Sequence, residues 1–253
     1  MNATAPADLE PDGGGRGRGR SAASELALVQ GMAHTRETLA AWRAAPASIL
    51  LPWFAASFLV AMSILAAVAL VAEFSEPDPY GGLLPGIVGS VGLADVAHTI
   101  ARNLLVLALH SLSCVAGFIA GSTMPLEAKE RGGVFGAVHD YAGRFAILFV
   151  SAATAFSLFT QTFVLGGLAS DMANRLDLHQ GELIVLLFPH AILELTGLFL
   201  PLAAWLIASR RGDWHQLLAA TFVTTAIALP MVLVAAVIET YVTPGIISSY
   251  AAY

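Results

Sequence analysis

Cysteine and lysine are almost absent from this chain. Its 253 residues include one cysteine, Cys114, and one lysine, Lys129. A single cysteine cannot form an intramolecular disulfide, and alone it does not make a thiolate metal site. Charged residues of all kinds amount to 12% of the sequence, whereas a soluble domain typically has about 25%. The composition therefore argues against a large soluble domain.

The motifs that mark several common enzyme classes are also absent. The sequence contains no nucleophile elbow, no P-loop and no dinucleotide-binding fingerprint. We therefore predict no catalytic residue and no cofactor, and we expect that the protein is not an enzyme. An intramembrane enzyme is the weakest of the functional interpretations considered below.

Apolar residues are abundant, at 57% of the chain. They form five runs close to or above the length of about 20 residues that a helix needs to cross a bilayer. The sequence therefore predicts an all-α, polytopic membrane bundle with about five transmembrane helices. A further apolar segment, residues 80–97, contains five glycines and a proline, which favours an interfacial or partly re-entrant loop. The predicted spans are residues 49–74, 99–121, 144–169, 183–209 and 215–242.

Four regions are predicted along the chain. Residues 1–24 are rich in Gly, Pro and Ala and are predicted to be a disordered cytoplasmic tail. Residues 25–45 are predicted to form a juxtamembrane amphipathic helix, residues 46–245 the five-span membrane domain, and residues 246–253 an external tail. The GRGRGR run of the first region is weak evidence for nucleic-acid binding, so the lipid bilayer is predicted as a partner and nucleic acid is not.

The basic residues predict the orientation, because they accumulate in cytoplasmic loops. With five spans, only Arg102 and Arg175 fall on the side that carries few of them. We therefore predict a bacterial cell-membrane protein with a cytoplasmic N-terminus and an external C-terminus. The basic residues assigned to the cytoplasmic side are Arg16, Arg18, Arg20, Arg36, Arg43, Lys129, Arg131, Arg144, Arg210 and Arg211.

Five polar residues lie within the apolar spans, where ionisable groups need a partner or a water-lined cavity. The predicted topology places all of them towards the external side. We therefore expect one polar intramembrane cluster that lines a cavity open to the outside. Its predicted members are Asn103, His110, His190, Glu194 and Glu239.

Three interpretations of this cluster remain open. It could hold the helices together through hydrogen bonds, carry protons or ions, or bind a metal. His190 and Glu194 share a helix face at spacing i, i+4, but the pattern HxxxE lacks the second histidine and the general base of HExxH metalloproteases. Structural stabilisation is the leading interpretation, and no metal ligands are assigned.

Two features concern helix geometry. Pro189 and the length of the segment 181–211 favour a break in the fourth span. Gly117 and Gly121 form a GxxxG motif that lets helices approach closely. The motif is predicted to pack within one molecule, with a homo-oligomer as the alternative.

Four segments resemble the stage II sporulation protein M family of integral membrane proteins. They are ARNLLVLALHSLSCVAGFIAG, RGGVFGAVHD, PHAILEL and AAVIETYVTP, and the resemblance extends over about residues 45–245. Ala191 stands where the family usually has Gly. The positions that match the family pattern are Asn103, Gly117, Gly121, Pro189, His190, Glu194, Ile238, Glu239, Thr243 and Pro244.

This resemblance implies a multi-pass, sporulation-related scaffold that organises cell-wall-remodelling proteins at the membrane and is not itself catalytic. The alternative is a permease or an ion- or proton-coupled transporter that uses Glu194 and Glu239. Five spans without an internal repeat argue against this alternative, because many transporters are built from paired inverted repeats.

Overall fold

The computed structural model describes residues 34–78, 87, 89–123 and 133–251. The predicted disordered tail, residues 1–24, lies outside these ranges, as do residues 25–33 of the predicted juxtamembrane helix. Residues 34–44 of that segment are helical and form α1. No β-strand occurs in the described ranges, so the predicted all-α class is confirmed.

Seven helices follow one another along the described chain, and three short turns connect or extend them. Among the described residues, five regions are long and apolar enough to cross a membrane: Pro46–Phe74, Leu93–Gly121, Ile147–Arg175, Gln180–Arg211 and Trp214–Ala251. The prediction of about five transmembrane helices is thereby confirmed. The elements after α1 are α2 Pro46–Phe74, α3 Leu93–Phe118 with the π-helical turn Ile119–Thr123, α4 Gly133–Arg175, α5 Gln180–Arg211, the 3₁₀ turn Trp214–Gln216, α6 Leu217–Val237, the π-helical turn Ile238–Val242, and α7 Thr243–Ala251.

Helix α5 is the centre of the bundle and packs against α2, α3 and α6. Its second half is buried almost continuously and contains several small residues. Gly197, for example, lies against Met231 and Val232 of α6. Close packing of small residues is what holds helices together where lipid replaces water, because apolar burial alone gives little advantage there.

The predicted break at Pro189 is wrong, because α5 is one continuous helix with Pro189 and Pro201 inside it. A proline removes one backbone hydrogen bond, whereas a broken helix would leave several unpaired polar groups at membrane depth. Side chains of neighbouring helices also donate to carbonyl oxygens of α5 around Pro201. The distances are 2.6 Å from Ser57 Oγ to the Thr196 oxygen, 2.8 Å from His110 Nδ1 to the Leu198 oxygen, and 3.1 Å from Cys114 Sγ to the Pro201 oxygen.

The predicted loop 80–97 is wrong at its end, because residues 93–97 are the first residues of α3. Asp95 explains where the helix begins. Its carboxylate accepts a 2.9 Å hydrogen bond from the backbone amide of Gly92, which is the N-cap residue. This bond is the half of a capping box that the N3 side chain supplies, and it satisfies the backbone amide of the N-cap residue. The rest of the predicted loop lies largely outside the described residues.

The predicted external tail, residues 246–253, is corrected as well. Residues 246–251 continue α7, and Ile247 is fully buried against Ala72 and Leu183. The Tyr250 hydroxyl donates a 3.0 Å hydrogen bond to Glu182 at the start of α5. These apolar and polar contacts hold the last helix against the bundle.

The GxxxG motif of α3 faces two tryptophans of the same chain. A Cβ added at Gly117 would lie 2.5 Å from Trp205 Nε1, and one added at Gly121 would overlap the ring of Trp214. Neither position has room for a side chain, because non-bonded atoms cannot approach so closely. The motif therefore serves packing within the molecule, as the sequence predicts.

Two apolar clusters mark opposite ends of the bundle. One contains Trp53 at the start of α2 and Ala220 at the start of α6, and Trp42 of α1 packs edge-on against Trp53 at 5.2 Å. The other cluster contains Ala72 at the end of α2 together with Leu183 and Ile247. We call this second end the Leu183 end. It corresponds to the end that the sequence predicts to be external, and its sidedness in the membrane stays a prediction.

Candidate polar site within the membrane bundle

The first contact of the site joins α3 to the π-helical turn after α6. Arg102 Nη2 lies 3.4 Å from Glu239 Oε1. The side chain of Arg102 is 55% exposed and that of Glu239 is 12% exposed. The pair therefore extends from the interior of the bundle to its surface.

Asn103 and Glu194 continue the site inward. Asn103 is only 2% exposed, and its Oδ1 atom accepts a 3.3 Å hydrogen bond from Arg102 Nε. This bond directs the Nδ2 end of the amide away from Arg102. Glu194, on α5, lies beside the Asn103 side chain and near the charged groups of Glu239 and Arg102. The structure therefore brings together three of the predicted residues, with Arg102 as their cation.

His190 lies one turn before Glu194 on α5 and connects this helix to α7. Its Nδ1 atom is 2.9 Å from the hydroxyl of Thr243, a fully buried residue. His190 is itself buried. It lies on the same face of α5 as Glu194, although its direct partner is Thr243.

His110 occupies a different place from the one expected. Its Nδ1 atom donates to the Leu198 carbonyl, and its ring lies 5.3 Å from the ring of Phe199. Within the described part of the chain, no hydrogen bond or ion pair joins His110 to Glu194 or Glu239. His110 follows Asn103 by two turns of α3, which is about 10 Å along the axis. His110 therefore acts as a hydrogen-bond donor to the α5 backbone. The sequence pattern does not predict this role.

We call Arg102, Asn103, His190, Glu194 and Glu239 the polar cluster. It contains two carboxylates and one guanidinium. Asn103 Nδ2 and Glu239 Oε2 are buried and have no hydrogen-bond partner among the described residues. In a low-dielectric environment a second unpaired negative charge is costly. This arrangement can hold helices together, and it can also accept a proton or hydrogen-bond a small polar group.

Metal binding has little support from the described residues. They include no group of three or more His, Cys, Asp or Glu side chains that could hold a metal ion. The expected cavity open to the outside stays a prediction.

Two members of the site were not assigned by their sequence pattern. From the sequence, Arg102 contributes only to the predicted orientation, and Thr243 is only a position of the family motif. The signal for Arg102 was its position beside Asn103 in an otherwise apolar span. Thr243 follows Glu239 by four residues, but the π-helical turn Ile238–Val242 changes the helix register between them. Such turns occur frequently at functional sites. The local sequence does not predict this one.

Polar contacts also connect the chain segments at the Leu183 end. Asp171 accepts a 2.7 Å hydrogen bond from the backbone amide of Asp78, and His179 Nε2 lies 3.7 Å from Glu73. Together with the bond between Tyr250 and Glu182, these contacts join α2, α4, α5 and α7. These contacts gather several acidic side chains at the Leu183 end.

Comparison with known proteins supports the predicted resemblance. Residues 141–244 match the family model described as Stage II sporulation protein M. The matched range includes His190, Glu194 and Glu239, whereas Arg102 and Asn103 precede it. Comparison with curated proteins and with solved structures gives no match. The resemblance is therefore confirmed over residues 141–244, where this chain is similar to the stage II sporulation protein M family, and its described residues include five helices of membrane-spanning length.

Proposed function

We propose that the chain is a multi-pass scaffold of the bacterial cell membrane that positions cell-wall-remodelling proteins and has no catalytic activity of its own. The observation that carries this proposal is the use of the embedded polar groups. Arg102 contacts Glu239, and His190 contacts Thr243. These side chains connect α3, α5, the π-helical turn and α7, which is what a rigid platform requires.

The Leu183 end supplies the surface on which partners would bind. Its segments are held by side-chain contacts between distant parts of the chain, so its shape is largely preformed. Glu76 and Asp177 are exposed there. A partner with a basic surface would be attracted to them, and charge complementarity adds both specificity and association rate.

The scaffold is tested by purifying the tagged full-length protein in mild detergent after crosslinking in native membranes. We expect wall-remodelling proteins in stoichiometric amounts. Glu76→Lys combined with Asp177→Asn should reduce their recovery several-fold. Asn suits position 177 because its φ of 55° is a left-handed conformation that Asn tolerates. The matched control is Asp213→Asn at the opposite end, which should leave recovery unchanged. The proposal would be overturned if the tagged protein is recovered without partners. It would also be overturned if the Asp213→Asn control loses as much partner protein as the double variant.

A second candidate, a proton- or cation-coupled permease, is favoured by one observation. Glu194 and Glu239 share a single guanidinium, and one buried oxygen of Glu239 is unpaired among the described residues. The test is proton flux in proteoliposomes that contain a pH-sensitive dye. A permease would show flux that Glu194→Gln abolishes without reducing folded yield. The scaffold requires no flux from the wild-type protein.

A further inference from the structure

Helix α4 is the least packed of the five candidate spans. Only 6% of its most apolar 18-residue stretch is buried, compared with 22% to 39% of the corresponding stretches in the other four spans. Its main contact is with α2, where Gly166 lies against Val71. Apart from smaller contacts with α5 and the π-helical turn Ile119–Thr123, the described side chains of α4 are open to lipid or to another helix.

A glutamine lies on one of these faces at mid-membrane depth. Gln161 is exposed and has 14 residues on either side within the span Ile147–Arg175. Its Nε2 atom donates a 2.9 Å hydrogen bond to Ser157 Oγ of the same helix. A carboxamide has two donors and a carbonyl acceptor, so this bond leaves capacity for another partner. Contact with hydrocarbon would leave that capacity unused, which is unfavourable.

The exposed residues around Gln161 follow the spacing of a helix–helix seam. Ser157, Gln161, Val164 and Leu168 are separated by four, three and four residues and are all exposed. This alternation keeps residues on one side of a helix that crosses its partner at a small left-handed angle. Ser157 is small enough to allow a close approach. We call these four residues the Gln161 seam.

We propose that the Gln161 seam binds the same seam of a second copy of this chain and forms a two-fold symmetric dimer within the membrane. A carboxamide is self-complementary, because its donor can bind the acceptor of an identical group. A two-fold axis places each seam opposite itself, and two-fold dimers are the commonest homo-oligomers. The GxxxG motif of α3 cannot serve this purpose, because Trp205 and Trp214 already cover it.

Cysteine crosslinking of the full-length protein in native membranes tests the geometry. The native Cys114 is fully buried and can remain. Ser157→Cys should give a disulfide-linked dimer under mild oxidation. The control is Phe159→Cys, which is 62% exposed but lies about 160° around the helix from Gln161, and it should stay monomeric. Equal crosslinking of both variants, or a Ser157→Cys adduct with a different protein, would overturn the proposal.

The role of the amide is tested separately by measuring the dimer fraction in mild detergent. Gln161→Leu should shift the monomer–dimer equilibrium towards monomer by about three- to tenfold. Because the side chain is exposed, the thermal stability of the monomer should not change. An unchanged dimer fraction in this variant, or a monomeric wild-type protein at every concentration tested, would show that the seam faces only lipid.

Discussion

Arg102 and Glu239 are 137 residues apart in sequence and form a 3.4 Å ion pair. The pair joins α3 to the π-helical turn that follows α6. Glu239 is largely buried, whereas Arg102 reaches the surface. The guanidinium therefore allows a carboxylate to remain within an apolar bundle, and the pair connects helices from both halves of the chain.

Replacement of Arg102 should destabilise the bundle. Arg102→Gln removes the positive charge next to Glu239 and the donor to Asn103 Oδ1. Leaving buried polar groups unpaired costs about 1–3 kcal/mol. We expect a lower thermal unfolding temperature in detergent, and Arg102→Lys should recover part of the loss because it restores the charge.

The control for this prediction is Arg210→Gln, at the opposite end of α5, which should have little effect. The double variant Arg102→Gln, Glu239→Gln should lose less stability than the sum of its single variants, because the two residues are in contact. Additive losses would mean that the pair contributes nothing in solution.

The second prediction concerns the glycines of α3. Gly117→Leu or Gly121→Leu should lower folded yield, because the new side chain would overlap Trp205 or Trp214. Overpacking of this kind typically costs about 1–3 kcal/mol. The matched control is Ala116→Leu, at an exposed position of the same helix. Yield and thermal stability are measured for all three variants. Equal behaviour of the Gly117 and Ala116 variants would contradict the packing seen here.

Hydropathy was sufficient to predict the five spans, because a membrane-spanning helix requires a long apolar run whatever its neighbours are. The boundaries depended on local contacts that hydropathy does not register. Asp95 caps α3 earlier than expected, and the burial of Ile247 extends the chain's last helix. Pro189 predicts a break when α5 is considered alone, because the sequence of α5 does not show the neighbouring helices that pack against it.

The polar cluster was predictable in part for a similar reason. Because an ionisable group inside a membrane has a high free-energy cost, Glu194 and Glu239 are expected to have polar partners. This argument does not identify the partners. Asn103 and His110 are seven residues apart and share one face of α3. They differ in depth, by about 10 Å along the axis, so that Asn103 lies beside Glu194 while His110 reaches the α5 backbone. A sequence pattern within α3 alone does not say which part of α5 lies opposite each of them.

The third prediction is the orientation of the chain. Reporter fusions after Ser21, within residues 126–134 and after Arg211 should report the cytoplasm, because basic residues accumulate there. Fusions within residues 171–181 and at the C-terminus should report the outside. The packing places the end of α2 and the start of α5 together, so these sites form a consistent set. A reporter on the wrong side would contradict the predicted external opening of the polar cluster.

The last prediction separates charge from hydrogen bonding at Glu194. Its carboxyl group interacts with Asn103 and lies near Glu239, with Arg102 as the nearby cation. If the cluster is structural, Glu194→Gln should have little effect on stability, because an amide still offers Asn103 an acceptor and removes one of two neighbouring negative charges. Glu194→Leu should be destabilising by about 1–3 kcal/mol, because a leucine beside the buried amide of Asn103 offers it no acceptor. Thermal unfolding in detergent measures both, with the buried but separate Cys114→Ala as a control for general loss of packing. Greater destabilisation by Gln than by Leu would show that the negative charge itself holds the helices, and the structural interpretation based on hydrogen bonding would be wrong.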